Sequence, residues 1–251
     1  MFQDKGYHFI NSHISVKKLI GLVKTQIFQD YSFFLQKYKY FDIPKSPYFH
    51  CEKLNDGRNR NEVLISKEFF FKIKENPIYM PEISFLEDVF IESERIFNKY
   101  IKLISNNSLL LILNYTTIVI KLIEYKFDNK LFFNHPHFDK TLFSVVWGSN
   151  ILHENFLIAP YSLKFEDRLE IKDLNHVKED SFPIIIPGVR LKDNLNLDIF
   201  PSPHAVLSSN NDTSRISMVS FLGLKKNHPF INKKVTSLIK GWNYYPTNLI
   251  Y

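Results

Sequence analysis

The chain has 251 residues, 45% of them hydrophobic and 23% charged, which is enough for one large domain or two small ones and excludes disordered, collagenous and coiled-coil classes. Its net charge of +6, from 32 basic and 26 acidic residues, is spread in short pairs such as Lys17-Lys18, Lys225-Lys226 and Lys233-Lys234, which describes a solvated surface rather than a nucleic-acid tail. The single cysteine, Cys51, rules out an internal disulfide and fits the cytoplasm, and no run approaches the ~20 apolar residues of a membrane helix, so a monomer acting on neither nucleic acid nor membrane is expected.

In chain order, Gly6 to Asn11 reads as a short strand, and Ser15 as the N-cap of a helix whose apolar positions Val16, Leu19, Ile20, Val23, Ile27, Phe28 and Tyr31 recur at three and four, ending near Leu35. Pro44, Pro47 and the Asn55-Asp56-Gly57 turn predict loops from Phe41 to Asn61, before a strand-like run from Val63 to Ile73. Pro81 suits the first turn of a second long helix with the stripe Phe85, Val89, Ile96, Tyr100 and Leu103, ending at Ser105-Asn106-Asn107. Beyond it the pattern changes to short β-branched and aromatic runs: Thr117 to Tyr125, Lys130 to Phe133, Thr141 to Trp147, Phe182 to Ile186, Ala205 to Leu207 and Ile216 to Leu224. Helices first and strands after, without alternation, predict an α+β chain with a mainly β core. Residues 1–107 would pack on a curved sheet or barrel formed by residues 108–251, the whole making one structural unit.

Two of the nine histidines sit in contexts that fit together. His137 and Asp139 are two apart in Asn134-His135-Pro136-His137-Phe138-Asp139, and in extended chain such positions point the same way. His204, in Pro201-Ser202-Pro203-His204, stands at the mouth of a predicted strand. Two imidazoles and one carboxylate on one face of a metal leave open positions, the arrangement suited to non-heme Fe(II). Arg215 and Ser217 form another i, i+2 pair, able to hold the distal carboxylate of an organic acid such as 2-oxoglutarate, with Tyr125 adding a hydroxyl. His135-x-His137 is also a cupin-like pair, but Lys140, Thr141 and Leu142 stand where a cupin wants Glu; zinc is disfavoured because Cys51 is alone. The other histidines, His8, His13, His50, His153, His176 and His228, have no partner pattern.

At these residues the chain resembles the isopenicillin N synthase-like family of 2-oxoglutarate and Fe(II)-dependent dioxygenases. Lys5 to Ile14 looks like the family's Gly-Phe-Phe...Asn-His-Gly-Ile opening, and Ser66 to Phe70 like its Trp-Lys-Glu-containing strand. Lys121 to Tyr125 resembles the strand ending in Asn-Tyr-Tyr-Pro, and His137 to Leu142 the His-Thr-Asp segment; Phe156 to Pro160, Pro187-Gly188, His204 and Arg215-Ile216-Ser217 follow in order. The resemblance implies a double-stranded β-helix, a jelly-roll barrel with N-terminal helices packed outside. It implies Fe(II) held by His137, Asp139 and His204, 2-oxoglutarate held by Arg215, Ser217 and Tyr125, and O2 as oxidant for hydroxylation, desaturation or cyclisation of a small molecule. Ile123, Lys126 and Ala205 replace the family's Asn, Pro and Arg, and the wide spacing of His137 and His204 implies an enlarged loop around Glu166 to Asp180. Two alternatives stand beside this reading: an oxidase of the same family in which Arg215 and Ser217 hold the substrate's own carboxylate, and a non-catalytic binding protein on a decayed oxygenase barrel.

Overall fold

The computed structural model describes residues 2, 6–39, 41, 48–54, 59–76, 82–104, 109–126, 132–149, 156–159, 175–177, 183–193, 195, 197–208, 214–225 and 228–229. Ser15 does open the first helix, α1 (Val16–Val23), its hydroxyl accepting from the Lys18 N–H. The expected single helix to Leu35 is instead interrupted. A π-helical turn over Lys24–Phe28 leads to Asp30, which caps a separate helix, α2 (Tyr31–Tyr38), by accepting from the Phe33 N–H. An Asp side chain that satisfies a free helix N–H starts a new helix more readily than it continues an old one. Apolar spacing of three and four persists through the break, so periodicity alone does not register it.

Two other expectations are corrected in this region. The segment taken for loop contains a strand, β2 (Phe49–Leu54), paired with β3 (Arg60–Ser66). The apolar run from Val63 to Ile73 changes type midway: Ser66 ends β3 and caps α3 (Lys67–Ile73), its hydroxyl accepting from the Phe69 N–H. The N-terminal strand β1 is confined to His8–Phe9. The second long helix is α4 (Leu86–Ile104), and Pro81 lies outside the described residues. Val89, Ile96 and Tyr100 face the core as the stripe requires, whereas Leu103 is exposed.

Eight strands follow: β4 (Thr116–Tyr125), β5 (Phe132–His137), β6 (Phe143–Ser149), β7 (Phe156–Ile158), β8 (Asn175–His176), β9 (Ile184–Pro187), β10 (His204–Leu207) and β11 (Arg215–Leu224). They divide between two antiparallel sheets, one in the order β1-β9-β6-β11-β4-β3-β2 and a smaller one in the order β5-β10-β7-β8. The chain therefore shuttles between sheets along β4 to β11, the jelly-roll-like pattern expected for the core. The enlarged loop expected around Glu166 to Asp180 lies outside the described residues except for 175–177.

Period-two alternation gives the large sheet two apolar faces. Ile118, Ile120 and Leu122 of β4 join α1, α3 and α4 in an outer core with Met218 and Leu222 of β11. Ile123 and Tyr125 join Phe133, Phe156, Ile158 and Val206 of the small sheet in an inner one. The helices thus cover the outside of the large sheet, and its other face closes over the small sheet to make the barrel.

One polar contact locks α4 to the outer face. The Trp147 indole N–H donates to Ser220 Oγ at 2.7 Å, and Ser93 Oγ of α4 lies 2.9 Å from the same hydroxyl, all three side chains being buried. Ser220→Ala strands a buried indole N–H and is expected to cost about 1–3 kcal/mol, with Tm falling by about 2–4 °C for each kcal/mol. Thermal denaturation of the variant checks this; an unchanged Tm means that water or a rotated Ser93 replaces the lost acceptor.

Candidate metal centre

The metal-ligand candidates meet because β10 pairs with β5 so that His204 lies directly opposite His137. Residues in register project from one face, and the two rings have centroids 4.3 Å apart. Asp139, just beyond β5, turns back toward both. Its Oδ1 is 3.8 Å from His137 Nε2 and its Oδ2 is 3.6 Å from His204 Nε2. Among the described residues these three are the group whose donor atoms lie close enough for one ion, all within 4.8 Å of one another. Metal bonds to N and O donors run ~2.0–2.2 Å, and the Asp139 contacts of 3.8 and 3.6 Å already fall within twice that length.

The tautomers suit that role. His137 Nδ1 lies 2.7 Å from the His135 carbonyl, and His204 Nδ1 lies 3.0 Å from the Ser202 carbonyl. A carbonyl only accepts, so each Nδ1 carries the proton and each Nε2 presents its lone pair toward Asp139. The Asn134 amide nitrogen lies 3.2 Å from His137 Nε2 and would have to give way to a cation bound there. Two imidazoles, one carboxylate and no thiolate make a donor set that fits Fe(II) and leaves positions open.

The His204 end is anchored through Ser202. The Ser202 hydroxyl donates to the Gly6 carbonyl at 2.5 Å, and its N–H donates to the Pro187 carbonyl. Gly6 has a positive φ of 75°, and a Cβ there would meet the Ala159 carbonyl oxygen at 2.4 Å. Only glycine brings the N-terminal segment this close to the metal-side loop.

Arg215, the first residue of β11, is 2% exposed. Its Nε donates to Ser217 Oγ at 3.2 Å, while its Nη1 is buried with no hydrogen-bond partner among the described residues. Burial lowers its pKa to about 10, which still leaves it a cation at neutral pH. Tyr125 is opposite Arg215 in register, is itself buried, and stacks on Phe133 with centroids 5.5 Å apart. The structure therefore brings Arg215, Ser217 and Tyr125 together inside the barrel that carries His137, Asp139 and His204.

Sequence reasoning passed over Arg60, Glu62 and Ser202. Arg60 and Glu62 do show the i, i+2 signal, but at the edge of a region taken for loop; only the pairing of β3 with β4 turns them inward. Ser202 acts through its backbone carbonyl and a link to residue 6, which no local pattern displays.

No protein-family profile and no curated protein matches the sequence. Solved structures do. The dioxygenase for auxin oxidation 1 of Arabidopsis thaliana, in a binary complex with 2-oxoglutarate, is similar over 90% of this chain and 86% of its own, with a TM-score of 0.66 at 12% identity. JOX2 in complex with 2OG, Fe and JA is similar over 91% of this chain and 70% of its own, with a TM-score of 0.62 at 12% identity. The dioxygenase for auxin oxidation of rice is similar over 90% and 76%, with a TM-score of 0.55 at 11% identity. The fold is thus that of the 2-oxoglutarate and Fe(II) oxygenases.

Desolvation, reinforced by the neighbouring His204 and further by the Arg60 charge, lowers the His137 pKa to about 3 against the pull of Asp139. The unfolded chain takes up this proton near pH 6.5 and the folded metal-free chain does not. Between about pH 6.5 and 3 the unfolded state binds more protons, so stability falls as pH falls, by up to about 1.4 kcal/mol per pH unit from this one group. Denaturation of chelator-treated protein across that window is expected to show a shallower pH slope for His137→Gln than for the wild type.

Proposed function

We propose that the protein is a non-heme Fe(II) and 2-oxoglutarate-dependent oxygenase that oxidises a small molecule. The observation that carries this reading is the meeting of two Nε2 donors and a carboxylate in a barrel whose wall also holds a buried, incompletely paired guanidinium, Arg215. The likeness of fold to structures that contain 2-oxoglutarate, and in one case Fe, supports it.

In this reading His137, Asp139 and His204 hold Fe(II), which supplies open coordination positions and the reaction with O2 that side chains cannot perform. The chain's own residues position and exclude. His135 and Ser202 fix the ring tautomers through their carbonyls. Arg215 offers its unmatched Nη1 and its charge to the distal carboxylate of 2-oxoglutarate, Ser217 holds its Nε, and Tyr125 adds a phenol beside it. Ile123, Val146, Phe156 and Val206 form an apolar wall that keeps water from the site. The net reaction converts 2-oxoglutarate and O2 to succinate and CO2 while the substrate is oxidised. The lone buried thiol Cys51 fits a reducing compartment such as the cytoplasm.

Anaerobic titration is expected to give one Fe(II) per chain. Because loss of an outer hydrogen-bond partner already costs 10–100-fold in metal affinity elsewhere, Ala at position 137, 139 or 204 should cost at least about that much. A metal affinity indifferent to all three changes would place the centre elsewhere.

Calorimetry of 2-oxoglutarate binding to the Fe(II)-loaded protein tests the second half. Arg215→Lys keeps the charge and loses the planar fork, so the Kd is expected to rise about tenfold; Arg215→Ala should cost about 2–5 kcal/mol. If the wild type neither binds 2-oxoglutarate nor releases succinate, the cosubstrate assignment fails even with iron in place.

A further inference from the structure

Strand β3 carries a second guanidinium into the barrel. Arg60 and Glu62 lie opposite Tyr125 and Ile123 of β4, and Tyr125 in turn lies opposite Arg215 of β11. Partners in register share a face. Arg60, Tyr125 and Arg215 therefore form one row across three strands, on the face where Ile123 and Tyr125 belong to the inner core. Arg60 is only 4% exposed, and its Cζ lies 5.9 Å from the centroid of the Tyr125 ring.

Arg60 is not fully matched there. Its Nη2 pairs with Glu62 Oε1, but that oxygen is shared with Lys121 Nζ at 2.8 Å. Its Nε and Nη1 are buried with no hydrogen-bond partner among the described residues. The Tyr125 ring attracts the cation but satisfies neither N–H. Dry, unmatched donors on an ionised group are costly to keep, and a site that keeps them is complete only when an acceptor arrives. A carboxylate supplies the acceptor atoms and one negative charge. A phosphate dianion would bring a second charge that Arg60, already sharing Glu62, cannot neutralise.

We propose that Arg60 binds a carboxylate of the oxidised substrate, so that the enzyme acts on a small organic acid held between this residue and the metal. This rests on the oxygenase reading and adds to it the substrate class and the residue that selects it. Arg215 and Arg60 then divide two anions between them, the cosubstrate on β11 and the substrate on β3, with Tyr125 as the partition.

Protein loaded with Fe(II) and 2-oxoglutarate under nitrogen is probed with benzoate, phenylacetate and octanoate, each against its primary amide, by ligand-observed NMR titration. At least one acid should bind about ten- to a hundredfold more tightly than its amide, the worth of a charge-assisted bond to a buried guanidinium. Arg60→Gln should abolish that preference. Because this change removes one of the two cations that face Glu62, the double variant Arg60→Gln with Glu62→Gln is run beside it, and it should lose the preference with its fold intact by circular dichroism. Calorimetry of 2-oxoglutarate on the same proteins separates the two arginines: Arg60→Gln should leave that Kd within about threefold of the wild type, well short of the tenfold steps that mark a lost charge contact. The proposal is overturned if no acid outbinds its amide, if the preference survives both variants, or if Arg60→Gln weakens 2-oxoglutarate as severely as Arg215→Ala. A wild type that binds the acids through Arg60 without binding 2-oxoglutarate would instead refute the cosubstrate reading alone.

Discussion

Everything at the centre of this protein depends on keeping ionised groups inside an apolar barrel. A dry guanidinium or carboxylate is tolerated only when another charge, a hydrogen bond or a ligand replaces the water it has lost. The barrel meets this requirement unequally. Glu62 faces two cations, Arg60 and Lys121, whereas Arg215 rests on a hydroxyl and Arg60 keeps two donors without a hydrogen-bond partner among the described residues. In the proposed reading, these incompletely matched groups are where cosubstrate and substrate carboxylates supply the missing acceptors.

The strand registers turn this constraint into a site. On the large sheet, β4 lies between β11 and β3, so one row carries Arg215, Tyr125 and Arg60 while the next carries Ser217, Ile123 and Glu62. On the small sheet, β10 against β5 sets His204 opposite His137. A slip of one residue in either pairing would send these side chains to the other face. The apolar layers on both sides of the large sheet oppose such a slip, which is how packing far from the candidate site fixes its geometry.

The second support is the reach of the N-terminal segment into the site. Gly6 accepts from Ser202, whose carbonyl in turn orients His204. β1, beside β9, holds that segment at the edge of the large sheet. The first strand thus takes part in holding His204, which comes nearly two hundred residues later in the chain.

The pairs that make up the candidate site were legible in the sequence because extended chain has a period of two: His137 with Asp139, and Arg215 with Ser217, declare a shared direction locally. The long helix α4 and the strand-rich stretch after it were equally local, written in spacing and in β-branched runs, whereas β2 and β3, which extend the large sheet from the leading part, were not. What stayed hidden were features whose cause lies elsewhere in the chain. The break at Asp30 turns on one capping hydrogen bond within unbroken apolar spacing, and Ser66 switches strand to helix inside a continuous run. Arg60 had the right spacing with Glu62, yet its direction was undetermined until β3 docked on β4, since an isolated strand has no inside. Sequence thus determined which residue types could share a direction, because backbone geometry is local. Only the tertiary structure decided which direction faced the barrel, because inside and outside exist only once the sheets have packed.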